Sequence, residues 1–415
     1  MVTITVNGMP PKTQPVDRKY FEEDVKTFEK EHPKIRIDAR EGQMDPKTFS
    51  AKLAGGQLED VFYVYFTDPA GLIQRRQGAD IGAYVKDMPY YDQIKADYLK
   101  VFTGPDGRLY GLPNGQYSLG LVYNRALFTK AGLDPDRPPA TWDEVRAAAR
   151  KIAALAEGTV GYADYSKNNQ GGWHFTAWVY SMGGDIAVKE QGRWKAAFDS
   201  VAGRRAVRML QDMRWTDNTM GTRQLLQIED VQKMMGAGKL GMYMAGPDNI
   251  PTIVKQFERK YEDYGIAAMP NGNATLGGGN GFMFNPKASP EKIKAGIEWV
   301  QWKYLNPERT EFEDERASGN DVPIGLPLDR LFTGAAAERQ DTAHRKYANV
   351  PQDNYKPFAE GNARLEQKVE PPNAQQVYTV LDGVMQAVLT KKAVDVDQVL
   401  ADAAKKVDGI LATVK

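Results

Sequence analysis

Residues Gly107–Ala156 read GRLYGLPNGQYSLGLVYNRALFTKAGLDPDRPPATWDEVRAAARKIAALA, an order of turn, strand, proline break and capped helix that decides the fold. Asp106-Gly107 is a turn dipeptide leading into Leu109, Tyr110, Gly111, Leu112 and Pro113. Leu119, Leu121 and Tyr123 alternate with less demanding positions, which predicts a strand. A short helix follows Asn124-Arg125, and Pro135, Pro138 and Pro139 break the chain. Thr141 and Glu144 have the T-x-x-E spacing of a capping box, in which each residue satisfies an orphan backbone N–H of the other. Val145, Ala148, Ile152 and Leu155 then put one apolar stripe on the capped helix.

Upstream, strands and helices alternate from the first residues, which points to parallel sheets. Val2, Ile4 and Val6 make a strand; a helix from Asp17 carries Phe21, Val25 and Phe28 on one face and stops at Pro33; Ile35 and Ile37 alternate in a second strand. A helix is expected over residues 46–54, and Asp60–Phe66 (DVFYVYF) reads as a strand buried on both faces. Asp68-Pro69 opens another helix, closed at Gln77-Gly78-Ala79. Downstream, strands are expected at Val160–Ala163, Leu240–Ala245, Tyr264–Pro270 and Thr275–Asn285. Helices are expected at Trp173–Met182, Gly203–Thr216, Val231–Gly236 and after Ser289-Pro290, whose Ile293, Ile297, Val300 and Tyr304 face a core. The last helix spaces Val396, Leu400, Ala403, Val407, Leu411 and Val414 for docking on one face. No repeat period or low-complexity segment is apparent.

A chain of 415 residues exceeds the size at which one core stops growing, so two lobes are expected. The 54 basic and 54 acidic residues cancel, which argues against a nucleic-acid partner and favours an uncharged ligand. The absence of cysteine excludes a disulfide framework, a thiolate metal site and thiol catalysis. His32, His174 and His344 lie far apart without an H-E-x-x-H pair, so no metal site is expected, and no cofactor. There is no G-x-S-x-G elbow and no phosphate loop. Gly277, Gly278, Gly279 and Gly281 fail the dinucleotide spacing, because Phe282 takes the last glycine position and a strand follows. The acidic run Glu311, Glu313, Asp314, Glu315 reads as a solvated helix face. No run of about 18 apolar residues exists to span a membrane, and MVTITVNGMPP lacks the basic and apolar regions of a signal peptide.

The segment from Gly107 to Ala156 resembles the place where bacterial extracellular solute-binding proteins of the sugar-binding family 1, maltose-binding-protein-like, cross from one lobe to the other. DVFYVYF, GAGKLGMYMAGPDN, YGIAAMP and TLGGGNGFMFN follow that family's order along nearly the whole chain. Glu59 stands where proline is usual and Asp248 where an aromatic residue is usual. The resemblance implies an α/β, two-lobed periplasmic-binding-protein fold of type II, each lobe a sheet flanked by helices. Lobe I is expected from 1–117 plus 282–333 and lobe II from 118–281 plus 334–415, with hinges near 116–120, 277–281 and 328–336. It implies a non-enzymatic sugar receptor of an ABC importer, partnered by permease subunits and monomeric. Such a receptor works outside the cytoplasm, as a mature chain in a periplasm or on a lipid anchor upstream of this sequence.

Open α/β sheets bind ligands beyond the carboxyl ends of their strands, and a neutral polyol needs stacking faces and hydrogen-bonding side chains. Met9 and Pro10, then Gln43 and Asp45, then Thr67 and Asp68 follow the first three strands. Asp68 is a ligand contact or a helix N-cap. By the resemblance, Tyr117 is a polar contact at the first crossing and Trp173 stacks on the sugar, the alternative being that Trp173 and Trp178 both fill a core. Asp248 and Asn249 bind hydroxyls or cap a helix. Gly278, Gly279 and Asn280 match the family's glycine pair at the return crossing, and Arg316 and Asn320 precede a VPIGLP turn. An α-linked gluco- or malto-oligosaccharide is the expected ligand. Two other classes remain: a carbohydrate-active enzyme with a carboxylate pair about 5–9.5 Å apart, and a receptor for a charged solute such as a glycerol phosphodiester, which requires convergent basic side chains.

Overall fold

The computed structural model describes the chain except Gln43, Asp45, Asp321 and Lys415 and the side chains of Pro46 and Lys47. Its strands are β1 (Val2–Met9), β2 (Ile35–Glu41), β3 (Val61–Tyr65), β4 (Gly111–Ser118), β5 (Gly120–Asn124), β6 (Val160–Tyr162), β7 (Ala187–Glu190), β8 (Arg193–Ala196), β9 (Leu240–Ala245), β10 (Tyr264–Ala268), β11 (Ala274–Phe284) and β12 (Glu366–Lys368). The chain divides into two compact units. The first holds Met1–Gln116, Gly278–Ile324 and Asp329–Ala348; the second holds Tyr117–Gly277, Gly325–Leu328 and Asn349–Lys415.

In the first unit the sheet runs β11-β3-β1-β2, with β4 also on β11. β1 is parallel to β2 and β3, and β11 is antiparallel to β3. Ile4 and Val6 are fully buried on one side of β1, as period-two alternation requires. Beside them, the helix Pro15–Glu31 starts with proline in its first turn and buries Phe21 and Phe28, seven residues apart. Both rings meet Trp299 edge-on, at 5.7 and 5.2 Å between centroids. Trp299 comes from the helix Pro290–Tyr304, where the Ser289 hydroxyl accepts the Lys292 N–H at 3.4 Å.

The second unit carries a mixed sheet, β10-β5-β9-β6. β5 runs antiparallel to both neighbours, while β6 and β9 are parallel, so the expectation of parallel sheets is only partly met. The Thr141 cap forms in full: Thr141 Oγ1 accepts the Glu144 N–H at 3.2 Å and Glu144 Oε2 accepts the Thr141 N–H at 3.1 Å. Val145, Ala148 and Ile152 of the helix Trp142–Ala153 lie in the core, and Leu155 falls beyond its end. The C-terminal helix Val396–Leu411 docks through Val396, Leu400, Ala403, Val407 and Leu411.

Four boundary expectations need correction. Gly325–Leu328, inside the stretch expected for lobe I, belong to the second unit. Tyr117 belongs to the second unit, where it packs against the core. Gly278 to Gly281 belong to the first, because Asn280 and Gly281 pair with Tyr65 and Val64 of β3. Residues 334–348 also belong to the first, since Ala336 and Ala337 enter its core and His344 Nδ1 lies 2.7 Å from Asp314 Oδ2. The solvated acidic face expected at 311–315 is met in part: Glu311 and Glu315 are exposed, whereas Asp314 is buried in that contact and burial raises the half-buried Glu313 carboxyl.

Candidate functional site

The carboxyl ends of β1 and β3 share one edge of the first unit's sheet, because the strands are parallel. Their ladder is short, and the Asn7 side chain extends it by accepting the Tyr63 N–H. Past β3 the chain turns at Phe66, Thr67 and Asp68. The helix Pro69–Gln74 begins there with Asp68 in the N-cap position, yet its carboxylate makes no cap bond to that helix. Instead Oδ2 turns back to accept the Tyr65 N–H at 2.9 Å, and burial raises the carboxyl above its ordinary range. Thr67 is half-buried beside it, whereas Tyr65 is 47% exposed at the tip of a strand expected to be buried on both faces.

β11 brings Gly278, Gly279 and Asn280 to the same edge. Gly279 O accepts the Phe66 N–H at 3.0 Å, and Asn280 Oδ1 accepts from Asn114 Nδ2 at 2.8 Å. A Cβ at Gly279 would stand 2.5 Å from the Gly115 carbonyl oxygen and 2.7 Å from the Phe66 ring, so only glycine lets β4 and the β3 turn close on it. Gln43 and Asp45 lie outside the described residues.

In the second unit the corresponding edge collects Tyr117 and Ser118 before β5, Ala163–Tyr165 after β6, and Gly246–Asp248 after β9. Trp173 enters from the helix Gln170–Ser181. The start of that helix is fastened by Asp382, which accepts the Asn169 and Gly172 N–H groups, each at 2.8 Å. Tyr117 meets Trp173 edge-on at 6.2 Å between centroids, and Tyr165 lies nearly parallel to the indole at 6.5 Å. Tyr117 and Trp173 are half-buried; Tyr165 is buried behind them, with its hydroxyl donating to Met244 O at 3.2 Å. Asp248 is exposed, although burial of its surroundings raises its carboxyl, and like Asp68 it occupies an N-cap position without a cap bond.

The structure separates the remaining expectations. Trp178 is a core residue, stacked on Trp142 at 3.5 Å, so the two tryptophans of this helix do different work. Asn249 points inward, where its Oδ1 accepts from Gln232 Nε2 at 2.9 Å and from the Tyr243 hydroxyl at 3.3 Å. Arg316 spends its guanidinium on Asp24, with Nη1 and Nη2 at 2.8 and 3.0 Å from the carboxylate. Lys303 and Arg309 bind the same carboxylate at 2.6 and 2.9 Å. Burial pushes the Asp24 carboxyl up, but Arg316 and Lys303 together pull it below its ordinary range. Asn320 Nδ2 donates to the Arg316 carbonyl at 2.9 Å. Sequence reading missed Tyr65, Asn114 and Tyr165. Alternation within VFYVY could have grouped Tyr63 with Tyr65, but Pro113-Asn114-Gly115 carries a turn signal and hides β4.

Among the described residues no group of three His, Asp or Glu side chains could hold a metal ion, and no helix is long and apolar enough to cross a membrane. The first unit's edge offers the Asp68 carboxylate and the Asn114 and Asn280 amides, and the second unit's edge offers the Tyr117–Trp173 surface and the Asp248 carboxylate, each carboxylate free of capping duty.

The model of the family described as bacterial extracellular solute-binding protein matches residues 12–306. A Brucella abortus (strain 2308) protein named as a binding protein is 26% identical over 420 residues, covering 99% of this chain and 93% of that one. Two solved structures share the fold at low identity. The cyclic alpha-maltosyl-1,6-maltose binding protein from Arthrobacter globiformis has a TM-score of 0.74 at 21% identity, covering 99% of both chains. UgpB from Mycobacterium tuberculosis, in complex with glycerophosphocholine, has a TM-score of 0.77 at 16% identity, covering 99% of this chain and 98% of that one.

Proposed function

Since this chain belongs to the bacterial extracellular solute-binding proteins, we propose that it is the receptor of an ABC importer and that it captures a neutral saccharide, with an α-gluco- or malto-oligosaccharide as the best candidate. The observation that carries this reading is the half-buried Tyr117–Trp173 pair at the carboxyl edge of the second unit's sheet, the edge where Asp248 follows β9. An indole face suits the apolar C–H face of a pyranose, and carboxylates and amides suit its hydroxyls. An anionic ligand would require convergent cations, and Arg316, the one arginine among the expected contacts, is committed to Asp24.

The ligand set in this reading is Tyr65, Thr67, Asp68, Gly278, Gly279 and Asn280 from the first unit with Tyr117, Trp173 and Asp248 from the second; Gln43 and Asp45 are further proposed contacts. The crossings near 116–120, 277–281 and 328–336 act as the hinge. No bond is made or broken: a saccharide engaging residues of both units draws the protein into a closed form, which permease subunits recognise. Moving a population from 1:99 to 99:1 takes about 5.5 kcal/mol, and a micromolar ligand supplies about 8 kcal/mol. If the closed form makes up about 1% of the free protein, it must itself bind the saccharide about 100-fold more tightly than that micromolar apparent value. The receptor works as a monomer outside the cytoplasm, in a periplasm or on a lipid anchor.

A thermal-shift screen tests this, because a ligand selective for the folded state raises Tm by mass action. Mono-, di- and malto-oligosaccharides are compared with sn-glycerol 3-phosphate and glycerophosphocholine. Stabilisation by a saccharide recovered intact is expected. Stabilisation by the phosphate compounds alone, or conversion of the sugar to products, refutes the reading.

A further inference from the structure

Beneath the Tyr117–Trp173 surface lies a buried polar pair that the binding reading does not use. Asp164, two residues beyond Tyr162 at the end of β6, is 1% exposed, and His174, next to Trp173, is fully buried. His174 Nδ1 contacts Asp164 Oδ1. The other carboxylate oxygen accepts the Trp178 indole N–H at 2.8 Å and the Tyr162 hydroxyl at 3.3 Å. One carboxylate therefore gathers an imidazole, an indole and a phenol. His174 Nε2, also buried, has no hydrogen-bond partner among the described residues. The imidazole orientation is thus set from one side only.

That orientation reaches the surface through ring contacts. The imidazole lies against Tyr165 at 3.7 Å between centroids and beside Trp173 at 5.4 Å, with a tilt of 33° to the indole. Tyr165 in turn backs Trp173. On the far side, Trp178 stacks on Trp142, whose indole N–H donates to Ser181 Oγ at 2.8 Å. A continuous series of rings and hydrogen bonds runs from the second unit's core to the face of Trp173. As mere filler the pair would be a poor choice, because a buried ionisable pair stabilises no better, and often less well, than apolar side chains of the same volume. It does fix ring orientation, which a methyl-lined cavity would leave loose.

We infer that Asp164 and His174 are positioning residues: Asp164 holds the Nδ1 proton of His174, and the imidazole so fixed sets the planes of Tyr165 and Trp173. The part of this inference that concerns affinity rests on Trp173 being a ligand contact; the part that concerns ring orientation does not. An indole held in its binding orientation before the ligand arrives avoids an ordering cost on binding.

The test uses the full chain labelled with 5-fluorotryptophan and read by 19F NMR, the Trp173 resonance being the one lost in Trp173→Phe. His174→Asn keeps an amide N–H toward Asp164 but removes the ring, and Asp164→Asn keeps the shape but removes an acceptor. In both, the Trp173 resonance should shift or broaden while those of Trp299 and Trp302 in the first unit stay in place. An unmoved Trp173 resonance in either folded variant overturns the inference. Wild-type protein provides a measurement that needs no variant: the 15N shifts of His174 should show a proton on Nδ1, and its absence overturns the inference equally. Titration with maltotriose adds the affinity arm, with a loss of about tenfold expected in His174→Asn. Undiminished affinity with a displaced Trp173 resonance overturns the affinity part. Failure of wild-type protein to bind maltotriose counts against the proposed ligand, and the ring-orientation result still decides the positioning role.

Discussion

Replacing Trp173 by alanine separates a binding residue from a core residue on one helix. A buried tryptophan side chain covers about 150–250 Å². If half of that meets the ligand, roughly 100 Å² at about 25 cal/mol/Å² comes to about 2.5 kcal/mol, or about 70-fold in Kd. Isothermal titration calorimetry with the saccharide giving the largest thermal shift measures this directly. Trp142→Phe is the control. Trp142 is fully buried, stacks on Trp178 at 3.5 Å and donates to Ser181, so its truncation acts on stability. The Ser181 oxygen left without its donor and the lost ring volume cost about 1–3 kcal/mol, or about 2–4 °C of Tm for each kcal/mol in a domain of this size. The expected pattern is therefore weak binding with a modest Tm change in Trp173→Ala, and near-normal Kd with a lower Tm in Trp142→Phe. Affinity retained within about twofold in Trp173→Ala, or equal affinity losses in both variants, would refute the assignment of the indole to the ligand.

Asp68→Asn should weaken saccharide binding about 10- to 100-fold, the contribution of a hydrogen bond to a charged acceptor. It should also raise Tm slightly at pH 7: a carboxyl raised by folding binds its proton more tightly than in the unfolded chain, so its ionised form subtracts stability, and that penalty fades as pH falls. Unchanged affinity together with unchanged Tm would contradict both statements. Asp24→Asn should cost about 3–5 kcal/mol in urea unfolding, because Lys303, Arg309 and Arg316 would be left buried around a neutral amide. The Asp24 carboxyl is lowered in the folded state, so its contribution is present above the unfolded value of about 3.9 and is lost as pH falls through the lowered one. The variant should lack that acid-sensitive limb, and a pH profile parallel to wild type would remove Asp24 from the account.

Signals of short physical reach are legible in the sequence. The Thr141–Glu144 box, the Ser289-Pro290 start and the strand LGMYMA each depend on neighbours within a few residues, and each forms where the sequence places it. β4 is not legible there, because Pro113, Asn114 and Gly115 carry turn signals and become a strand only against β11. The β7–β8 hairpin escapes sequence reading too; each of its strands has only four residues, AVKE and RWKA, too few to establish a period.

What the sequence determined by itself was the two-unit α/β character, the family and the chain order of the edge residues, since periodicity and capping act locally. Only the tertiary structure decided which candidates reach an edge. Arg316 and Asn249 stand near it in sequence but turn to Asp24 and to Gln232 and Tyr243, because a buried carboxylate and a buried amide must be satisfied. Tyr65 and Tyr165 take their places at the edges through partners distant in the chain, Asn280 and Met244, and residues 334–348 joined the first unit through Ala336, Ala337 and His344. Such choices depend on which surfaces meet after folding, and residue spacing carries no record of them.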